Sequence, residues 1–316
     1  FAAKNFDKIG IVSVRDNVSN INSAYNRDLG QQTNLLGSAD SVKAEGVTAA
    51  EVSTAASLKS AGAISGFNLT STSVEFQDVG MYTARYLAQA DNFNDISFTV
   101  SVAANELLGW LGTPASPEAV ASLFALGSAS EVTVVATAVN QVKMLVDKGF
   151  LDIGGNVSGH SYVLPDDLTE EFDFDPVSVS DARVVFNAAN ADNLNFSIKD
   201  SAEALAGLDI SVDENGGPIG ADAGMLAAAS SLAVSGAVPP SDLQKLGEID
   251  ALFDIEAGLT LATRSVLTFA QAKIFDALDG SLGTPFLVEA AAADVFGGDG
   301  GGLTFLKSVS TAWDAS

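Results

Sequence analysis

The sequence predicts an α/β fold: a repeat solenoid with short parallel strands and flanking short helices, finished by atypical capping ends. The first observation behind this is internal similarity. Residues 84–110 lie over 182–208 without a gap, matching Ala84 with Ala182, Arg85 with Arg183, Ala90 with Ala188, Asn92 with Asn190, Phe98 with Phe196, Ala104 with Ala202, Leu107 with Leu205 and Gly109 with Gly207. A third copy continues the series with Ala272, Lys273, Phe286, Val288, Ala292, Val295 and Gly297. The second observation is spacing. Short apolar strands led by Phe67, Phe98, Val132, Tyr162, Phe196, Leu232, Phe253 (or Leu261) and Phe286 recur in six of seven steps at roughly 30–36 residues, a period typical of stacked repeats, the exception being the step of 21 from Leu232 to Phe253.

Each copy has the same local logic. Ala182, Val185, Phe186 and Ala189 recur at helical spacing, then 190–195 forms a polar turn, and Phe196-Ser197-Ile198 reads as a strand. A second helix carries Ala202, Leu205 and Leu208 on one face, with Asp200 or Ser201 placed to accept from its first free backbone N–H groups. Gly109 and Gly207 fall where these helices are expected to end in a left-handed cap. One such unit cannot bury its strand face alone. Stacked units can, with the strands forming a continuous parallel sheet and the helices covering it.

The ends depart from this pattern, which divides the chain into 1–45, 46–296 and 297–316. Residues 1–45 hold a strand at 9–14 and an Asn- and Ser-rich stretch at 17–34, read as an N-terminal cap or interaction arm. The span 46–296 holds the repeats, and 297–316 is a Gly-rich tail with a possible last strand at 303–306. The acidic run 166–175 is read as a surface loop, not a boundary. The first residue is Phe1 instead of Met, which suggests a processed product or an excised part of something longer.

Composition removes several function classes. Among 316 residues there are 40 Asp or Glu against 15 Lys or Arg, giving a net charge of −25, while 47% are apolar. That apolar share is too high for a disordered acidic tail, and the charge works against nucleic acid or an anionic membrane surface as partner. With no cysteine and only His160, thiolate chemistry and His-rich metal sites are excluded. No apolar run approaches the ~20 residues of a membrane span, and no phosphate-cradling glycine motif is present.

The acidic loops are the remaining chemistry. Asp213, Glu214 and Asn215, followed by two glycines, offer part of the oxygen set that calcium requires; the alternative is a solvated turn. The tail 297–303 partly echoes a calcium-binding glycine–aspartate nonapeptide, with Gly302 where Asp belongs. His160 sits between Ser158 and Ser161, but sequence neighbours rarely form a nucleophile–base pair, so a structural histidine is expected. Trp110 shares its repeat position with Leu208 and is expected in the core.

The segment Ser-Asp-Ala-Arg…Asn-Phe-Ser-Ile-Lys-Asp-Ser-Ala-Glu-Ala-Leu-Ala, residues 180–206, resembles repeat segments of large secreted bacterial surface proteins, the type I-secreted calcium-dependent adhesins and surface-layer proteins. The resemblance implies an acidic, cysteine-free protein outside the cell or on its surface, with calcium as a candidate cofactor. The expectation is a non-enzymatic structural protein that self-assembles into a surface layer, sheath or filament, with calcium as a possible aid. The alternative is an adhesin module that binds a glycan or host protein.

Overall fold

The structure, a computed structural model, describes residues 13–31, 36, 39–70, 76–114, 116–152, 159–165, 176–261, 265–278, 286–296, 302 and 304–306. The chain divides into two compact units, Phe1–Leu164 and Pro165–Ser316. The first contains β1 (Ser13–Asp16), α1 (Val18–Gln31), β2 (Ser41–Val47), α2 (Val52–Ser60), β3 (Gly66–Leu69), β4 (Val79–Gly80), α3 (Met81–Leu87), β5 (Thr99–Ala103), α4 (Ala104–Gly112), α5 (Pro117–Ser128), β6 (Glu131–Val135), α6 (Val139–Asp147) and β7 (His160–Val163). They make a three-stranded sheet β1-β2-β3 and a four-stranded sheet β4-β5-β6-β7, parallel throughout.

The second unit contains α7 (Val179–Phe186), β8 (Ile198–Ser201), α8 (Ala202–Ala206), β9 (Ser211–Val212), β10 (Pro218–Ile219), α9 (Ala223–Ala228), β11 (Leu232–Ser235), β12 (Ala237–Val238), α10 (Leu243–Phe253), β13 (Thr260–Leu261), β14 (Val266–Thr268), α11 (Phe269–Ala277), β15 (Leu287–Glu289) and α12 (Ala292–Phe296). Its strands pair two by two, in parallel for β8/β11, β12/β13 and β14/β15 and antiparallel in the β9/β10 hairpin. Both units are therefore mixed α/β with short parallel strands. Among the described residues the strands form several sheets, not one continuous sheet.

The sequence repeat translates into repeated pairing. Val79 pairs with Val100, Val177 with Ile198, and Leu267 with Val288; the repeat alignment places these three pairs at the same position. Between the partners stands the same helix each time, α3, α7 or α11, and after the second strand a short helix follows, α4, α8 or α12. The correspondence extends one rung further in the first two copies. Val100 pairs with Val132 and Ile198 with Leu232, so the rows read Val79–Val100–Val132–His160 and Val177–Ile198–Leu232–Ile255.

A serine ahead of the incoming strand helps set each register. Ser130 donates both its N–H (2.9 Å) and its Oγ–H (2.8 Å) to the carbonyl of Phe98. Ser230 does the same to Phe196, at 2.8 and 2.9 Å, and Ser65 to Val42, at 2.7 and 3.0 Å. A carbonyl oxygen has two lone pairs, so one residue satisfies both. Caps then start the helices: Ser116, Ser178 and Ser201 accept from Ala119, Asp181 and Ala204 N–H, and Thr268 forms a capping box with Gln271.

Packing follows from strand alternation. Val100, Val102, Val132 and Val134 are buried, while Thr99, Ser101 and Thr133 between them are half-exposed. Helix positions facing the buried side also repeat: Ala84, Ala182 and Ala272, then Leu87, Val185 and Phe275, are all buried. The helix α10 carries Gly247 mid-length because a Cβ there would fall 2.7 Å from Ile274 Cγ2 of α11. The third copy is looser than the other two. Ala104 and Leu107, with Ala202 and Leu205, are buried, whereas Ala292 is exposed and Val295 half-exposed.

Three expectations are corrected. Phe253 ends helix α10, and the alternative, Leu261, lies in strand β13. Gly109 lies inside α4, and Gly207 caps α8 with right-handed dihedrals. Of the strand expected at 9–14 only Ser13 and Val14 are described, within β1, and the stretch 17–34 holds the helix α1 over Val18–Gln31. Trp110 is half-buried although Leu208 is buried; Trp110 lies within α4, whereas Leu208 lies beyond the end of the shorter α8. The 45/46 division falls within β2, and the boundary between units falls just before the acidic run 166–175. That run and most of 297–316 lie outside the described residues.

Phe98 and Phe196 are 1% and 2% exposed, whereas Phe286 is half-buried against Phe275 at 5.7 Å. Phe98→Ala and Phe196→Ala should each cost about 3–5 kcal/mol in urea unfolding, and Phe286→Ala clearly less. Equal losses at all three positions would contradict the looser third copy.

Candidate functional site

The helices cover one face of the strands, and the other face carries short polar and aliphatic side chains in register. Ser101, Thr133 and Ser161 form one row across β5, β6 and β7, and Ala103, Val135 and Val163 form the next. Thr133 Oγ1 lies 3.4 Å from Ser161 Oγ, and Val135 is 41% exposed. The β1-β2-β3 sheet has an outward face of similar kind: Ser41 Oγ donates to Ser13 Oγ at 3.0 Å, and Asn68 Nδ2 donates to Glu45 at 2.9 Å. In the second unit Val266 and Leu287 are register partners and are 45% and 69% exposed. Such a face supports hydrogen bonding and van der Waals contact over a broad area.

His160 and Ser161 are neighbours on a strand and point to opposite faces. The imidazole stacks on Phe150, with centroids 4.5 Å apart and planes 12° apart, and its Nδ1 lies 2.9 Å from the Phe150 carbonyl. It occupies the place that Ile255 holds in the second row. Adjacent in sequence, the pair is not brought together as nucleophile and base.

A groove of about 350 Å³ opens in the first unit between α1, α2 and α3. Asn22, Tyr25 and Asn26 of α1 face Ser53 and Ser57 of α2 and Tyr82 of α3 across it. Tyr82 is 59% exposed, takes the edge of the Tyr86 ring at 4.7 Å, and accepts a hydrogen bond from Tyr86 Oη at 3.0 Å. That bond holds the Tyr86 phenol above its usual pKa. A bare ring beside amides and hydroxyls is suited to polar ligands that have one apolar face.

Asp213, Glu214 and Asn215 form the tip of the β9/β10 hairpin. Asp213 Oδ1 accepts from Gly217 N–H at 2.7 Å and Asn215 N–H at 2.8 Å. These bonds, with Gly217 first, lower the pKa of its carboxyl, and Gly216 takes the positive φ of 85° that closes the turn. Among the described residues no group of three or more His, Cys, Asp or Glu is arranged to hold a metal ion.

Among the described residues, a bidentate charge contact joins two segments distant in sequence. Arg183 Nε and Nη2 donate to Asp222 Oδ1 and Oδ2 at 2.8 and 2.9 Å, and Asp209 N–H donates to Oδ2 at 2.9 Å. This fastens α7 to the start of α9. Arg85, the matching residue of the first copy, likewise reaches Glu118 at the start of α5 at 2.8 Å. The repeated Arg was visible in the sequence; its partner, 39 residues away, was not. The Arg183 contact, followed by the Asp209 amide, depresses the Asp222 carboxyl against the opposing effect of burial.

A carboxylate with a lowered folded pKa stabilises fully above its unfolded value near 4 and loses that contribution as pH falls through the folded value. Asp222 is 7% and Arg183 43% exposed, so Asp222→Asn should cost about 2 kcal/mol at neutral pH, short of the loss for a fully buried pair. The gap from wild type should close below pH 4 in thermal melts; a gap unchanged from pH 7 to pH 3 would contradict this.

No family model matches the chain, and no curated protein or solved structure matches it either.

Proposed function

We propose that this is a structural protein of the cell surface or extracellular space that assembles with copies of itself into a layer, sheath or filament. In this reading the strand–helix units are turns of an α/β solenoid whose copies add through strand faces and ends. One observation carries it. Parallel sheets are ordinarily covered on both faces, yet the rows Ser101–Thr133–Ser161 and Ala103–Val135–Val163 are half-exposed or exposed, and the pair Val266–Leu287 is exposed. A second copy would supply the missing layer, and a contact between different patches propagates into an open polymer.

The net charge of −25 opposes this association, so divalent cations are the natural screen. Calcium is the proposed ion, with Asp213, Glu214 and Asn215 as candidate ligands at the projecting hairpin. Neither nucleic acid nor a membrane is a proposed partner; no helix among the described residues is long and apolar enough to cross a bilayer.

The groove of Asn22, Tyr25, Asn26 and Tyr82 favours a second reading, an adhesin module that takes a glycan on the exposed Tyr82 ring. Electron microscopy of the concentrated protein separates the two. Assembly predicts ordered polymers at neutral pH with calcium, altered by chelator or acid and lost in Thr133→Lys without loss of the circular-dichroism spectrum. A protein that stays monomeric at every concentration, with and without calcium, refutes assembly and leaves the adhesin reading.

A further inference from the structure

The two aligned copies differ at one place that the repeat cannot explain. In the first unit Phe93 is 8% exposed and packs between Phe98 at 5.5 Å and Phe124 of α5 at 6.1 Å. The alignment that matches Phe98 with Phe196 replaces Phe93-Asn94 by Ala191-Asp192. The helix position of Phe124 becomes Gly224 when Ser130 and Ser230 are superposed. Phe186 of α7 moves in against it, its Cζ 3.0 Å from where a Gly224 Cβ would stand. Among the described residues no ring packs on Phe196 as Phe93 packs on Phe98.

What remains is a cavity of about 510 Å³, lined by Phe186, Ala188, Ala191, Leu194, Phe196 and Ala228, with Asp192 at its mouth. Its size is that of a small-molecule site. Phe196, the counterpart of the ring that Phe93 packs against, is buried at one wall, and Phe186 is half-buried at another. Asp192 is exposed, so its charge stands at the entrance. Relative to the first copy, the substitutions remove a ring and move a negative charge one residue back, from the place of Asp95 (now Asn193) to that of Asn94 (now Asp192).

We propose that this cavity binds a small aromatic amine, its ring filling the position that Phe93 holds in the first unit and its ammonium meeting Asp192. Dispersion and edge contacts with Phe186 and Phe196 hold the ring. The carboxylate, with aromatic faces nearby, selects a cation over a neutral isostere. The site lies within the second unit and is independent of the assembly reading.

Calorimetric titration of the whole chain at low salt, with benzylamine, benzyl alcohol and butylamine as probes, tests it. Benzylamine should bind saturably, benzyl alcohol more weakly, and butylamine not at all. Asp192→Asn should weaken benzylamine roughly fivefold, the worth of one exposed ion pair, and leave benzyl alcohol unchanged. Ala191→Phe, which restores the plug of the first copy, should abolish binding and raise the melting temperature. Methyl shifts of wild-type Ala191 and Ala228 on adding benzylamine provide a readout that does not depend on any variant folding. Absence of saturable benzylamine binding, shifts confined to other residues, or undiminished binding by folded Ala191→Phe would each overturn the proposal.

Discussion

Parallel pairing is the constraint on which the rest depends. A strand cannot pair in parallel with its immediate successor through a tight turn; the chain must first travel back, and it does so here through a helix. Each rung, Val79–Val100, Val177–Ile198 or Leu267–Val288, is therefore made only after α3, α7 or α11 has been laid down. The returning helix must approach the strands closely, which explains the small buried Ala84, Ala182 and Ala272. The Arg85 and Arg183 contacts and the serine clasps act on this frame, tying one helix to another and fixing which residue meets which.

The same constraint explains the bareness of the outer strand face. All the returning helices cover the Val100 and Ile198 side, so their burial leaves Ser101, Thr133 and Lys199 to solvent. The side chains there are hydroxyls, methyls and charges, consistent with a face that lives in water until something covers it. Ala292 and Val295 are more exposed than their counterparts Ala104, Ala202, Leu107 and Leu205.

How much was legible depended on whether the signal was local. The alignment of Phe98 with Phe196 located the repeated strands, and helical spacing located α7 and α8, because both signals lie within a few residues. Phe253 misled because an apolar residue closing a helix looks like one opening a strand. Gly109 misled because a glycine inside α4 looks like one beyond its end. The Arg183–Asp222 contact, the Tyr82 groove and the open outer face arise from segments distant in sequence, so no spacing rule reaches them. The aromatic cavity is an intermediate case. The change from Phe93-Asn94 to Ala191-Asp192 is present in the sequence, but only packing shows the cavity beside Phe196.

The central claim is that each unit rests on its own parallel rungs, closed by backbone amides. Native-state hydrogen exchange resolved by residue tests it most directly. The amides of Ser130 and Val132 in the first unit, and of Ser230, Ile198 and Glu256 in the second, donate to Phe98, Gly159, Phe196, Ser231 and Leu232 carbonyls at 2.6–2.9 Å. The account predicts that all five exchange in the slowest class of their unit, opening only with the ladder as a whole. Exchange of these amides at the rate of an unstructured peptide would contradict it.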